Sequence, residues 1–318
     1  MRFEPTSEQR DFVASLDRLL ASSDTVAANR AWSEGDAGAG TTLWQRLAEQ
    51  GVNALVVAED AGGMGASDVE LVLAHELLGR YAVPGPWAEV AYLSHALADD
   101  EALAALAEGE LATVAAPPHT PYAVDGASAA VVYVAQGGTL HRASVAAAAE
   151  SVDRSRKLAT VTAGDAVPTG DLERAFDTAV LATAAHLLGA GERVLADTVD
   201  YVKQRRQFGR EIGSYQAIKH QLADVRIALD FARPLIHGAA LAEPGDRARD
   251  VSAAKSAAAD AAYLASRVGL QCHGAIGYTQ EFDLSLWITR IRALVSAWGT
   301  PAFHRRRVLA AVLPAATR

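Results

Sequence analysis

From Leu172 onward the chain is built on a helical repeat. Val180, Ala184, Leu187, Gly191, Val194, Thr198 and Val202 recur at three- and four-residue spacing, which puts them on one face of a long amphipathic helix. Small residues within that face let neighbouring helices approach closely. A second helical pattern runs from Ile212 to about Leu241 with Ile218, Leu222, Val225, Ile227 and Leu229, and Glu243-Pro244-Gly245-Asp246 then turns the chain. A third helix is expected from Asp246 to Cys272, and a last pair over 284–294 and 301–312. Long helices joined by short links pack as an antiparallel bundle. Residues 171–318 are therefore expected to form a C-terminal four-helix bundle, and the molecule to be mainly α.

The first third is also helical. Thr6-Ser7-Glu8-Gln9 can cap a helix reaching about Leu20, with Phe12, Leu16, Leu19 and Leu20 on one face. Thr42 to Gln50 forms a second helix that Gly51 ends, and the loop Glu59-Asp60-Ala61-Gly62-Gly63-Met64-Gly65 follows. Ser67 and Asp68 open a helix running to about Gly79, and Pro84 and Pro86 separate it from another over 88–98. Between about Leu111 and Gly170 the pattern changes to strands. Ala129-Val131-Val132-Tyr133-Val134, the Gly137-Gly138 turn and Thr139-Leu140-His141 read as a hairpin, with Leu158 to Thr162 a further strand. Ala143 to Glu150 is alanine-rich but lies in a segment of strand character, so no helix is assigned there. The expected organisation is an N-terminal helical domain over 1–110, a small β insert over 111–170 and the bundle over 171–318. No glycine-rich strand-to-helix fingerprint of a dinucleotide fold occurs.

Composition excludes several classes of function. A net charge of -9 lacks the basic footprint of a nucleic-acid binder. No uninterrupted apolar run reaches the roughly 20 residues that a membrane-spanning helix needs. The segment Met1-Arg2-Phe3-Glu4-Pro5 has no apolar core or cleavage site of a secretory signal. Cys272 is the single cysteine, which rules out an intrachain disulfide framework and a multi-cysteine metal cluster. A cytoplasmic protein is expected.

Chemistry concentrates at two motifs. Arg205-Arg206-Gln207-Phe208-Gly209 closes the long helix with a cationic, aromatic, glycine-ended tip, and Gln271-Cys272-His273-Gly274-Ala275-Ile276-Gly277 follows another helix as a glycine-punctuated turn. Together they can hold a diphosphate: an arginine fork for its oxygens, and small residues that let backbone N–H groups come close. Either motif alone also fits an ordinary capped helix end.

The pair, in this order and in a helical setting, resembles the C-terminal domain of the acyl-CoA dehydrogenases, flavoproteins that desaturate acyl-CoA thioesters. The Glu59 to Gly65 loop with its flanking helices is similar to that family's N-terminal domain, where the pattern is P-E-x-x-G-G-x-G and Val57-Ala58-Glu59-Asp60 stands here. The resemblance implies FAD as cofactor and an acyl-CoA as substrate. It implies that Arg205, Gln207 and Phe208 reach the adenosine-diphosphate half of an FAD bound mainly by a neighbouring subunit. Gln271, His273 and Gly274 would lie along the same pyrophosphate and ribose, with Gln216 at a weaker family position.

The chain departs from the family in two places. The family's Thr-Glu-Pro-Gly-Ala-Gly-Ser-Asp-like segment, which cradles the flavin ring and thioester, has no counterpart; Pro117-Pro118-His119-Thr120-Pro121 is unlike it. Desaturation also needs a carboxylate over the α-carbon to take its proton. Many members place that Glu just before Gly-Thr, and counting from Gly277 puts Trp298 there, ahead of Gly299-Thr300. Other members carry the base on the long helix, near Ala179. Asp177 and Glu173 are close, but offsets of two and six residues leave the helical face, and both read as solvated N-terminal charges. His304-Arg305-Arg306-Arg307 likewise reads as a solvated helix face.

Keeping the cross-subunit FAD contacts while losing cradle and base resembles the short β-type subunit of heterotetrameric acyl-CoA dehydrogenases of bacterial steroid catabolism. There an α-type partner supplies base and flavin platform. Two alternatives stand beside it: a self-sufficient homomeric dehydrogenase with a relocated base, and a non-catalytic helical scaffold.

Overall fold

The computed structural model of the chain describes residues 4–313. The N-terminal part holds helices α1 (Ser7–Ala21), α2 (Thr25–Glu34), α3 (Gly38–Glu49), α4 (Asp68–Arg80), α5 (Trp87–Ala96) and α6 (Asp100–Ala107). The start of α1 is a capping box, Thr6 Oγ1 accepting from Gln9 N while Gln9 Oε1 accepts from Thr6 N; Ser67 and Glu70 repeat the device at α4. The sequence pattern does not announce α2 and α6, because alanine dilutes their apolar periodicity. Their entrances are nevertheless written locally, as Asp24 and Asp99 accept backbone N–H groups of their first turns. Helix α5 ends before residue 98 because Leu97 leaves the helix to bridge with Thr169.

The insert is a five-stranded sheet in the order β1 (Ala112–Ala115), β3 (Val131–Gln136), β4 (Thr139–Ala149), β5 (Leu158–Ala166), β2 (Ala123–Val124). The hairpin of β3 and β4 turns at Gly137-Gly138, and the alanine-rich stretch after His141 is strand as far as Ala149. Strand β1, which the sequence pattern leaves unassigned, pairs parallel with β3. The link from β1 to β2 carries Pro117 to Pro121 and holds them beside the helices.

The rest is helical: α7 (Leu172–Gln204), α8 (Gln216–Ala240), α9 (Pro244–His273), α10 (Leu284–Ser296) and α11 (Pro301–Val312). Helix α7 is the spine, packing against α4, α5, α8, α9 and α10. At Gly189 a Cβ would lie 1.8 Å from the carbonyl oxygen of Glu76, so α4 and α7 cross backbone to backbone where only glycine fits. Gly191 does the same service on the bundle side, facing Leu229 and Ala262. Helix α7 is long and apolar enough by composition to cross a membrane, but 83% of its most apolar window is buried inside the fold. Charge ties the layers together where apolar packing thins: Arg233 of α8 donates to Glu76 of α4 at 2.6 Å and to Glu192 of α7 at 2.9 Å. The helix expected from Ile212 begins later. Ile212–Ser214 is a short 3-10 turn, Tyr215 is extended, and α8 starts at Gln216.

Candidate functional site

The tip is a hairpin. Arg205 leaves helical geometry at φ -72, ψ 121, and Arg206 and Gln207 then pair antiparallel with Glu211 and Arg210. Phe208 and Gly209 form the two-residue turn with φ of 51 and 82, the positive pair that a type I′ hairpin requires. A bulky aromatic is rare there, and Phe208 is also 89% exposed. No contact with the described residues rewards that placement. The side chains of Arg205, Arg206, Gln207 and Arg210 are exposed as well. Arg206 pairs with Glu211 at 3.5 Å, and the Arg210 guanidinium lies 3.9 Å from the centre of the Tyr215 ring. Arg205 makes no side-chain hydrogen bond or ion pair with the described residues and stays available for an anion.

The second motif lies at the same end of the bundle, since α7 and α9 run in the same sense on either side of α8. Tyr201, one turn before Arg205, stacks on His273 with ring centres 4.1 Å apart, and Phe282 closes the other side at 5.1 Å. The structure thus brings the tip and the turn together. Gln271 and Gly274 are exposed, and Gly274 has φ 65, ψ -140, a conformation open essentially to glycine alone. A Cβ there would meet nothing within 4 Å, so backbone geometry rather than space requires the glycine. His273 is different. It is buried, its Nδ1 lies 2.8 Å from the carbonyl oxygen of Gly269, and burial lowers its pKa. With Nδ1 as donor, Nε2 is a buried acceptor that no described residue satisfies. His273 works first as the staple between α7 and α9, a role its place at a helix end did not reveal. Gln216 is exposed as the first residue of α8, at the same end.

Trp298 lies deep in the interior, fully buried, with φ 55 followed by Gly299 at φ 103. Its ring stacks on Tyr92 at 5.1 Å and meets the edge of Phe176 at 6.2 Å. His119 extends the cluster, 4.0 Å from Phe303 and 5.3 Å from Phe176 between ring centres. Trp298 N donates to Thr120 Oγ1 at 3.1 Å. The Pro117 to Pro121 segment therefore helps hold the tryptophan in place. From below, His304 Nε2 reaches the carbonyl oxygen of Trp298 at 2.9 Å while Nδ1 lies 3.2 Å from Ser252 Oγ. Burial, with the nearby Lys255 charge adding to it, pushes the His304 pKa down to about 3. The neutral ring thus donates through Nε2. Lys255 is itself fully buried, its Nζ donating to the Leu294 and Val295 carbonyls at 3.0 and 3.1 Å, and burial lowers its pKa to about 7.

Both candidate acids on α7 are occupied or remote. Asp177 is not a solvated charge: it is buried and accepts from Arg307 of α11. Glu173 is exposed in the first turn, where Asp171 Oδ1 caps its backbone N–H. The basic run on α11 is also divided. His304 is fully buried and Arg307 is tied to Asp177, so only Arg305 and Arg306 face solvent. The reason is that α11 packs against α9, which a four-residue basic run does not disclose.

Glu89 is a carboxyl that the sequence pattern hides inside an apolar helix. It is fully buried and its pKa is raised by that burial, against the pull of Arg156 at 3.7 Å. Trp298 Nε1 is close enough to favour the charged form but does not close a hydrogen bond, and neither Glu89 oxygen accepts one. Among the described residues, the surroundings of Trp298 are a clamped aromatic cluster with Glu89 buried beside it. The hairpin tip and the glycine turn stand outside, at one end of the bundle.

Comparison with known proteins identifies the family. The family description "Acyl-CoA dehydrogenase, N-terminal domain" matches residues 6–120 and "Acyl-CoA dehydrogenase, C-terminal domain" matches residues 171–313. Acyl-CoA dehydrogenase IpdE2 of Mycobacterium tuberculosis is 35% identical over 314 residues, covering 96% of this chain and 97% of that protein. Among solved structures, the ChsE4-ChsE5 complex from Mycobacterium tuberculosis superposes with a TM-score of 0.84 at 22% identity, covering 99% of this chain and 100% of that one. The Tcur3481-Tcur3483 steroid ACAD superposes with a TM-score of 0.79 at 22% identity, covering 96% of this chain and 97% of that one. These likenesses show the fold, and the sequence identity to IpdE2 over nearly the full length shows the family. The chain belongs to the FAD-dependent acyl-CoA dehydrogenases.

Proposed function

We propose that this chain is the non-base-supplying subunit of a heteromeric acyl-CoA dehydrogenase, completing across the interface an FAD site whose base and flavin platform belong to an α-type partner. The observation that carries this reading is Trp298: fully buried and stacked on Tyr92, it fills the place where many relatives carry the proton-accepting Glu. An indole cannot take the α-proton. The adenosine-diphosphate half of FAD fits the residues present. Arg205 has a free guanidinium, Gln207 and Gln271 are exposed amides, and the space beside Gly274 is open. The flavin ring lacks its platform here, because Pro117 to Pro121 replaces the family's cradle segment and Thr120 Oγ1 is taken by Trp298 N.

When bound, FAD accepts the hydride that leaves the β-carbon of the thioester. On this reading Arg205 forks onto diphosphate oxygens, Phe208 lies against the nucleotide or the partner, and the glycine turn lets the backbone approach. A stripe on α8 supports a partner: Ile227, Phe231 and Leu235 are 53%, 72% and 46% exposed at four-residue spacing, an apolar face that assembly would cover. The heteromeric ChsE4-ChsE5 complex and the steroid ACAD among the structural relatives support an α2β2 assembly acting on a steroid-derived CoA thioester. The test is to purify the chain alone and with its α-type genomic neighbour and record visible spectra. The chain alone is expected to be colourless and the complex yellow. Stoichiometric flavin on the lone chain would overturn the proposal.

A further inference from the structure

A cleft of about 680 Å³ opens between the sheet and the end of α10, walled by Tyr122, Val124, Val152, Leu158, Ala293 and Ala297 among others. A second hollow of about 270 Å³ adjoins it, with Val152 and Arg292 in both walls and Leu270 and Ile288 beyond. Together they are the size of small-molecule sites. The cleft also holds a charged group with no hydrogen-bond partner among the described residues, open to solvent through the cleft. Arg156 lines it and is only 8% exposed, yet its guanidinium donates no hydrogen bond to the described residues. Its one ion pair among the described residues is with Glu89 behind it, at 3.7 Å and beyond hydrogen-bond reach, and the buried Asp125 carboxyl also feels its charge. The Asp153 carboxylate nearby does not help, because it is taken by Arg290. Arg292 stands at the junction of the two hollows, and Glu150 is the opposing charge at the rim.

A buried guanidinium with idle donors at the foot of an apolar cleft is built for a planar anion. We infer that this cleft binds an amphipathic monocarboxylate. Its carboxylate would be held by Arg156 with Arg292 above it, and a compact apolar body would lie along Val152 and Leu158 toward Ile288 and Leu270. A phosphate dianion suits the site less well, because a single inner guanidinium and no glycine nest face it. No residue of the hairpin tip lines either hollow, and of the glycine turn only Gly277 borders the second one, away from Gln271, His273 and Gly274 that the proposed FAD role uses.

The test is calorimetric titration of the full-length chain, alone and in complex with its partner, using cholate and methyl cholate below micelle-forming concentrations. One saturable cholate site per copy of this chain is expected, with the methyl ester binding about tenfold more weakly or worse. Arg156→Gln should abolish that site and Arg292→Gln should weaken it several-fold. Because Arg156→Gln takes from the buried Glu89 its nearest counter-charge, Ala293→Trp provides an independent check: it fills the cleft from its partly exposed wall and should remove one cholate per chain. Flavin content of the complex should not change in Arg292→Gln or Ala293→Trp. Equal affinity for acid and ester would refute the inference, and so would an unchanged cholate count in Ala293→Trp. Neither result bears on the subunit reading, which the flavin spectrum decides separately.

Discussion

Phe208, on the proposed reading, is placed for something outside its own chain. Its φ of 51 and 89% exposure are both unfavourable for an isolated molecule. Phe208→Asn would give the Asn-Gly pair that type I′ turns prefer, so the isolated chain should gain a few tenths of a kcal/mol in urea denaturation. The same change should weaken FAD retention by the complex. Arg205→Ala should weaken FAD retention by about 1.5–3 kcal/mol, the scale of a charged hydrogen bond, with Lys restoring only part of it for want of the planar fork. Unchanged flavin content in both variants would leave the tip as an ordinary helix exit. Trp298 makes the opposite case, an aromatic serving its own fold. Trp298→Ala should cost about 3–5 kcal/mol of stability. Trp298→Glu should create no second active site, since the segment that would cradle the flavin ring and thioester is still replaced by Pro117 to Pro121.

At the scale of elements, α7 and α11 are coupled by Asp177 and Arg307. Removing that carboxylate tests structure rather than catalysis. Asp177→Asn should lower stability by about 1–2 kcal/mol, a broken buried pair discounted because Arg307 is partly exposed. Turnover of a CoA thioester by the co-purified complex should fall only slightly, and Glu173→Gln should leave it unchanged. If Asp177→Asn abolished turnover while flavin and assembly stayed intact, a base relocated to α7 would replace the present reading. The elements themselves were unevenly legible. Helices α7 to α9 showed in the sequence because their three-and-four periodicity survives the alanine padding. Strand β1 and helix α6 did not, being short and alanine-rich, and β1 takes its identity from a parallel partner distant in sequence.

At the scale of the whole molecule, the buried Lys255 makes stability depend on pH. Its pKa is lowered from 10.5 to about 7 by burial. Between those values the unfolded chain binds the proton and the folded chain does not, so this group favours folding increasingly as pH rises from about 7 toward 10. The benefit is lost as pH falls through about 7. Thermal unfolding across that window should therefore show a positive contribution that Lys255→Met removes. The neutral amine still has two hydrogens for the Leu294 and Val295 carbonyls, which keeps the link to Trp298 anchored in both charge states. A melting profile with the same pH slope in wild type and Lys255→Met would show that Lys255 carries no such penalty.

The sequence alone determined the helical architecture, because periodicity and caps are local, and it located the tip and turn, because their residues are contiguous. By counting along the family resemblance it also led to the proposal that Trp298 stands at the usual base position. What lay beyond it were pairings between residues far apart in the chain. Tyr201 on His273, Thr120 beneath Trp298, Arg307 on Asp177 and Glu89 behind Arg156 join segments about 70 to 180 residues apart. Each decides whether a polar side chain is a solvated charge, a staple or an unsatisfied group facing a cleft. Burial and partner geometry settle that question, and both exist only once the helices have packed.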